Sequence, residues 1–241
     1  MPERSDAGRA SVSGPPRSAG PAGRRRLTLG VGVGLVLAGL SLLGYVGWQL
    51  VGTDVVSHRH QRQARAAVTK AWGRGHDAAR TPWGQTTALI RVPRWGADYE
   101  VPVFQGTSDR VLAAGFGHFT GTAGPGQVGN FAVAAHRVTH GEPLRRMPSL
   151  RAGDEVDVVT RSTTYVYRLT SGGDDLVVPF TAGWVLDPLP RNPDGGGVQP
   201  SQVPGQRLLT LTTCSELFHT DDRLVAFGVL VDSRATEPSQ G

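Results

Sequence analysis

Residues 155–170 read EVDVVTRSTTYVYRLT. Apolar side chains recur at Val156 and Val158, and again at Tyr165, Tyr167 and Leu169. That period of two sets them on one face of an extended chain. Between the two runs lie only Arg161–Thr163, and a short polar break between alternating runs is a hairpin signal. Glu155–Thr160 and Thr164–Thr170 are therefore expected to pair as antiparallel strands.

The segments on either side repeat this style. Upstream, Ala88–Val92, Tyr99–Phe104 and Asn130–His136 read as strands. Ser108–Ala114 reads as a short helix, with Ser108 as N-cap and Gly115 as its stop, and Pro143–Leu150 as a turn or short helix. Downstream, Asp175–Val178, Trp184–Leu186, Arg207–Thr213 and Arg223–Val231 read as strands, and residues 233–241 as a polar tail. Residues 187–205 (DPLPRNPDGGGVQPSQVPG) contain five prolines and four glycines and form a long loop. About eight short strands with few helices and frequent turn signals predict an all-β barrel or sandwich. No repeat of solenoid length occurs, and there is no P-loop, dinucleotide fingerprint or HExxH motif.

In front of this body lies a different kind of chain. Residues 1–26 are rich in Ser, Gly, Pro, Ala and Arg, a composition expected to stay disordered. Residues 27–52 carry no charge over 26 positions, enough to cross a bilayer as one helix. Tyr45 and Trp48 stand near its far end, as interfacial aromatics do. Arg24–Arg26 abut the apolar run, while on its other side Asp54 precedes Arg59, Arg62 and Arg65. That asymmetry favours the N-terminus inside and the body outside. Residues 53–86 are expected to be a juxtamembrane stalk, a solvated spacer whose positive charges can also lie against anionic headgroups. His58 and His60 in it have no further metal ligands nearby in sequence.

The chain has 241 residues, 39% of them hydrophobic, and a formal net charge of +5. Such a basic balance raises nucleic-acid binding as a possibility, but its distribution argues against it. Residues 1–80 hold 12 Arg or Lys against 4 Asp or Glu, whereas residues 81–241 hold 13 against 16. The single cysteine, Cys214, excludes an internal disulfide and a four-cysteine zinc site.

Cys214 ends the apolar run LLTLTTC, where a strand opens into the loop Ser215–Asp222. Arg223 follows nine residues later, at the start of the next strand. His136 ends another apolar strand, in AVAAHR. A thiolate is a nucleophile, an imidazole can carry its proton to and from an amine, and a guanidinium can stabilise an oxyanion. Acyl transfer is available to these three without a metal. His118, His140 and His219 compete with His136, and spacing alone does not choose among them.

The segment GHFTGTAGPGQVGNFAVAAHRVTHGEP (Gly117–Pro143), then TLTTC (Thr210–Cys214), then Arg223, resembles the sortases, most closely the class E type of high-GC Gram-positive bacteria. The similarity covers about residues 87–231, and the apolar N-terminal helix fits as well. The resemblance implies an eight-stranded sortase-type β-barrel with short helices as a domain over residues 87–232, preceded by one transmembrane helix. It implies a cysteine transpeptidase with Cys214 as nucleophile, His136 as general acid/base and Arg223 as oxyanion and substrate stabiliser. His118, Phe119, Asn130, Thr212 and Thr213 would line the substrate groove, and no cofactor or metal is implied. The partners implied are secreted proteins with a C-terminal LAXTG- or LPXTG-like signal, cut between Thr and Gly. The acceptor would be an amine of the cell-wall precursor, or a pilin lysine in pilus-building classes. Mainly hydrolytic action, or a non-catalytic wall-binding domain on the same scaffold, are the other readings. The body would lie outside the membrane. Phe119 stands where class E usually has tyrosine, Ala135 where glycine often precedes the histidine, and Ser215–Glu216 in place of a polar-Pro pair. The loop 187–205 is expected to gate the groove.

Overall fold

A computed structural model describes residues 21–47, 53–214 and 221–236, with the side chains of residues 29–46, 54–213 and 221–236. The expectations for residues 1–20, for Trp48, for Ser215, Glu216 and His219, and for residues 237–241 lie outside these. The chain divides into two compact units, Met1–Val46 and Gly47–Gly241.

The first unit holds helix α1, Pro21–Gly47. It begins earlier than the apolar run and takes in Arg24–Arg26, which composition had assigned to the disordered tail. Proline suits a first helical position, where an amide would lack a partner anyway. The stretch Leu29–Val46 is long and apolar enough to cross a membrane, and its large side chains are exposed, Leu35 and Leu43 by 69% each.

The second unit opens with α2, Thr53–Gly73. Ser57, Gln61, Ala64 and Val68 are buried along it, a spacing of four, three and four that makes one helix face. Ala64 packs with Phe104, Val111 and Ala114, and Val68 with Ala79, Leu89 and Val159. The expected solvated stalk is thus a helix docked on the body. Only two of its apolar side chains are fully buried, a stripe too thin to stand out in sequence, while Arg59 and Arg62 face solvent.

The strands are β1 (Ala79–Thr81), β2 (Gly84–Arg91), β3 (Glu100–Gln105), β4 (Phe116–His118), β5 (Gly129–Ala134), β6 (Glu155–Val159), β7 (Thr163–Leu169), β8 (Val177–Pro179), β9 (Arg207–Cys214) and β10 (Asp222–Ala235). They pair in the order β1-β2-β3-β4-β5-β9-β10-β7-β6, and β6 pairs back to β2. Eight strands, β2 to β7 with β9 and β10, therefore close into a barrel, the architecture expected. Closure leaves none of these strands as an open edge along its whole length. β1 extends one end of β2, and β8 pairs with the start of β10.

The 155–170 hairpin forms in register: Val156 faces Tyr167, Val158 faces Tyr165 and Val159 faces Thr164. Val156, Val158, Tyr167 and Leu169 enter the barrel core with Phe116, Phe131 and Leu211. Helix α3 is Asp109–Leu112, with Ser108 at the N-cap position but its hydroxyl not used as a cap. Three segments differ from expectation. Gly183–Leu186 is a 3-10 turn rather than a strand: the Val185 carbonyl accepts side-chain hydrogen bonds, and Trp184 covers Phe227. β4 has three residues, too few for alternation to show. β10 runs on to Ala235, so the tail begins as strand, where Arg234 meets the Asp157 carboxylate at 3.1 Å.

Candidate active site

Cys214 ends β9 and Arg223 stands second in β10, while His136 lies two residues past the end of β5, where the expected strand stops at Ala134. Each of these three strands has an apolar set turned into the barrel: Phe131 and Val133, Leu209 and Leu211, Leu224 and Ala226. β9 is covered on its other face too, with Leu208, Thr210 and Thr212 buried. A strand buried on both faces reads as a near-continuous apolar run, which is why LLTLTTC stood out.

Register then sets the site. β5 runs parallel to β9 with Ala134 beside Thr212, and Ala135 still donates its amide to the Thr212 carbonyl at 3.2 Å. Continued by two residues, that register brings His136 level with Cys214. β10 runs antiparallel to β9 with Arg223 directly opposite Cys214. Neighbouring strands lie about 4.8 Å apart. Positions 136, 214 and 223, far apart in sequence, thus share one end of three adjacent strands.

His136 is held from both sides. Before it, the Ala135 carbonyl accepts a hydrogen bond from the Thr213 hydroxyl at 2.7 Å. After it, the His136 carbonyl accepts the Leu144 amide at 3.0 Å, closing a loop over residues 137–143. The ring of His140 stacks on that of His136, with centroids 4.8 Å apart. Burial first, and then the like charge of His140, push the His136 imidazole down to about 4 against the opposing pull of Asp109. The resting imidazole is therefore neutral at pH 7, able to take a proton. The loop tip is strained: His140 and Glu142 have φ of 57° and 44°, a conformation costing roughly 1–3 kcal/mol at a non-glycine residue.

Arg223 is half-buried, and its Nη1 donates to the Asp222 carbonyl at 3.0 Å. The short strand β8 flanks it, Val178 pairing with Arg223.

The expected groove residues behave differently from one another. His118 is buried; its Nε2 donates to the Ala123 carbonyl at 3.0 Å and lies 3.0 Å from the Thr122 hydroxyl. Asn130 is 1% exposed. Its amide donates to the carbonyls of Val185 (2.9 Å) and Asp187 (3.1 Å), and its Oδ1 accepts from the Thr210 hydroxyl (2.8 Å). The polar atoms of both are taken up inside the protein, so they build walls. Thr213 likewise spends its hydroxyl on Ala135. Thr212 is buried beside it, and Phe119 is half-buried at the end of β4. The loop 187–205 is tied to itself: Asn192 donates to the Val198 carbonyl at 3.0 Å and Gln202 to that of Pro190 at 2.6 Å.

Sequence reading missed the influence of His140 and Asp109 on His136. In sequence His140 reads only as a rival to His136; the loop after His136 is what stacks the two rings. Asp109, 27 residues upstream, gave no signal.

A cysteine paired with an arginine across β9 and β10, with a neutral imidazole two residues past β5, supplies the residue types that acyl transfer uses. The family profile of the sortase domain matches residues 90–231. Sortase SrtE1 of Streptomyces coelicolor is 34% identical over 218 residues, 85% of this chain and 57% of that protein; the chain thus spans little more than half that relative's length. The structure of sortase E from Streptomyces avermitilis is 35% identical, covering 67% of this chain and 97% of that one, with a TM-score of 0.54. Sortase E1 from Streptomyces coelicolor, solved with a tripeptide in its active site, is 32% identical over 65% of this chain and 94% of its own, with a TM-score of 0.53. With the closed eight-stranded barrel already in view, the match over most of its length settles the family: this chain belongs to the sortases and is most similar to those of class E.

Proposed function

We propose that this chain is a membrane-anchored cysteine transpeptidase that cleaves a C-terminal LAXTG- or LPXTG-like signal between Thr and Gly and passes the protein to an amine of the cell-wall precursor. The observation that supports the reading is the register of β5, β9 and β10, which sets Arg223 opposite Cys214 and ends β5 with Ala134 beside Thr212, two residues short of His136 and Cys214. The neutral His136 takes the Cys214 proton as sulfur attacks the threonine carbonyl. Arg223 faces the oxyanion that forms. Carbon–nitrogen cleavage follows, the leaving amine takes the proton from the imidazolium, and a thioester remains. An incoming amine attacks the thioester and gives its proton to His136; the carbon–sulfur bond breaks, and sulfur recovers the proton. The tripeptide held by the Streptomyces coelicolor relative supports a peptide substrate.

A quenched fluorescent LAXTG or LPXTG peptide, with and without an amine acceptor, tests this. Wild-type protein should cleave, and the acceptor should appear in product. Cys214→Ala and His136→Ala should abolish turnover, and Arg223→Ala should lose most of it. Product containing only water in place of the amine would favour a hydrolytic enzyme. A folded protein whose Cys214 resists a vinyl sulfone probe would favour a wall-binding domain.

The same reading puts α1 in the membrane with its N-terminus cytoplasmic, because Arg24–Arg26 adjoin the apolar span. Protease added to intact cells should remove the body. The loop 187–205 gates the groove in this reading; excising most of it should change rate or specificity.

A further inference from the structure

The loop that follows His136 is held not only by the barrel but by the helix after the apolar span. At its tip, His140, Gly141 and Glu142 have φ of 57°, 74° and 44°. Three left-handed residues in a row persist only where the surroundings fix them. On the barrel side, the Tyr99 hydroxyl donates to the Pro143 carbonyl at 2.6 Å. On the other side stands α2. The Asp54 carboxylate accepts the Gly141 amide at 2.9 Å. Gly141 lies so close to the helix that a Cβ there would come within 2.7 Å of Gln61 Nε2 and 3.1 Å of Ser57 Cβ. The next residue back, His140, stacks on the ring of His136. An unbroken path of contacts therefore runs from α2 through Gly141 and His140 to the imidazole.

We propose that α2 sets the position of the His136 imidazole, with Asp54 and Gly141 as positioning residues acting through the 137–143 loop. The proposal rests on the reading of His136 as the proton-transferring group. It gives the helix between anchor and barrel a part in turnover: a displacement of its first turn displaces the tip and the ring stacked on it. Asparagine at position 54 keeps an acceptor oxygen in the same place, and alanine does not.

The test uses the full chain in detergent micelles, comparing wild type with Asp54→Ala, Asp54→Asn and Gly141→Ala, with Gln63→Ala on the exposed face of α2 as control. The first readout is the imidazole carbon–proton NMR resonance of His136, which needs no turnover. Asp54→Ala and Gly141→Ala should shift or broaden it, while Asp54→Asn and Gln63→Ala leave it at the wild-type position. A wild-type resonance in Asp54→Ala overturns the proposal even if no peptide is ever cleaved. The second readout is kcat and KM for the signal peptide. Misplacing a reacting group by about 1 Å can cost on the order of a hundredfold. A ten- to hundredfold loss of kcat with KM within about twofold, restored by Asp54→Asn, is expected. An equal loss in Asp54→Asn, or a loss matched by unfolding in thermal melts of both position-54 variants, makes the contact merely structural and overturns the proposal.

Discussion

A histidine at a strand end is ordinary; His136 differs in what surrounds it. Burial withholds water from the imidazolium, and His140 adds a like charge, so the ring stays neutral well below its ordinary value of about 6.5. Replacing His140 by alanine should raise the His136 midpoint from about 4, and Asp109→Asn should lower it, both read by NMR titration of the imidazole. An unchanged midpoint in both variants would leave burial as the sole cause. Phe119 makes a second residue-scale case. By the resemblance to class E, tyrosine is usual at this place, and Phe119 lacks its hydroxyl. Phe119→Tyr should change the relative rates on LAXTG and LPXTG peptides while leaving Cys214 labelling as it was.

Among the elements, the short turn Gly183–Leu186 owes its place to one buried side chain. Asn130 donates to two of its neighbouring carbonyls, at Val185 and Asp187, and accepts from Thr210. Alanine there leaves the Asp187 carbonyl without its side-chain donor, at a cost of about 1–3 kcal/mol where water cannot reach it, while the Thr210 hydroxyl and the Val185 carbonyl keep each other at 3.3 Å. Asn130→Ala should lower the urea midpoint by a measurable step and loosen residues 183–187 in hydrogen exchange; an unchanged midpoint would show that water replaces the amide. GN at 129–130 was legible in sequence as part of a motif. Its use as a structural clamp was not, because its partners lie 55 to 80 residues away. That helix α2 docks on the body was not legible for a related reason: its buried face is made of Ala64 and Val68 with Ser57 and Gln61, and small and polar residues announce no core.

For the whole molecule, three partly or fully buried histidines give stability a pH dependence with a definite sign. His60, His118 and His136 all have depressed values, chiefly through burial. The unfolded chain takes up protons near pH 6.5 that the folded chain refuses, so stability falls as pH drops below about 6.5. For His136 the loss ends near its folded value of about 4. Asp157, raised by burial, works in the opposite direction: its folded form keeps a proton that the unfolded form has lost, so its penalty fades as pH falls toward about 4. The urea midpoint should be lower at pH 5 than at pH 7, and His136→Gln should show a smaller drop. A flat midpoint between these values would mean that the histidines are hydrated in solution.

Sequence by itself determined the parts that depend on near neighbours. The 155–170 hairpin, the buried run ending at Cys214, the apolar span before the body and the all-β class follow from alternation, length and charge, which are local properties of the chain. The family resemblance also rested on short motifs. Tertiary structure decided what depends on pairing between distant strands: closure through β2 and β6, the parallel register of β5 with β9 that sets Ala134 beside Thr212, and the antiparallel register of β10 with β9 that sets Arg223 opposite Cys214. It also decided that the presumed stalk is a helix seated on the loop after His136. Alternation gives a strand its two faces but not its neighbour, and it is the neighbour that makes separate residues into a site.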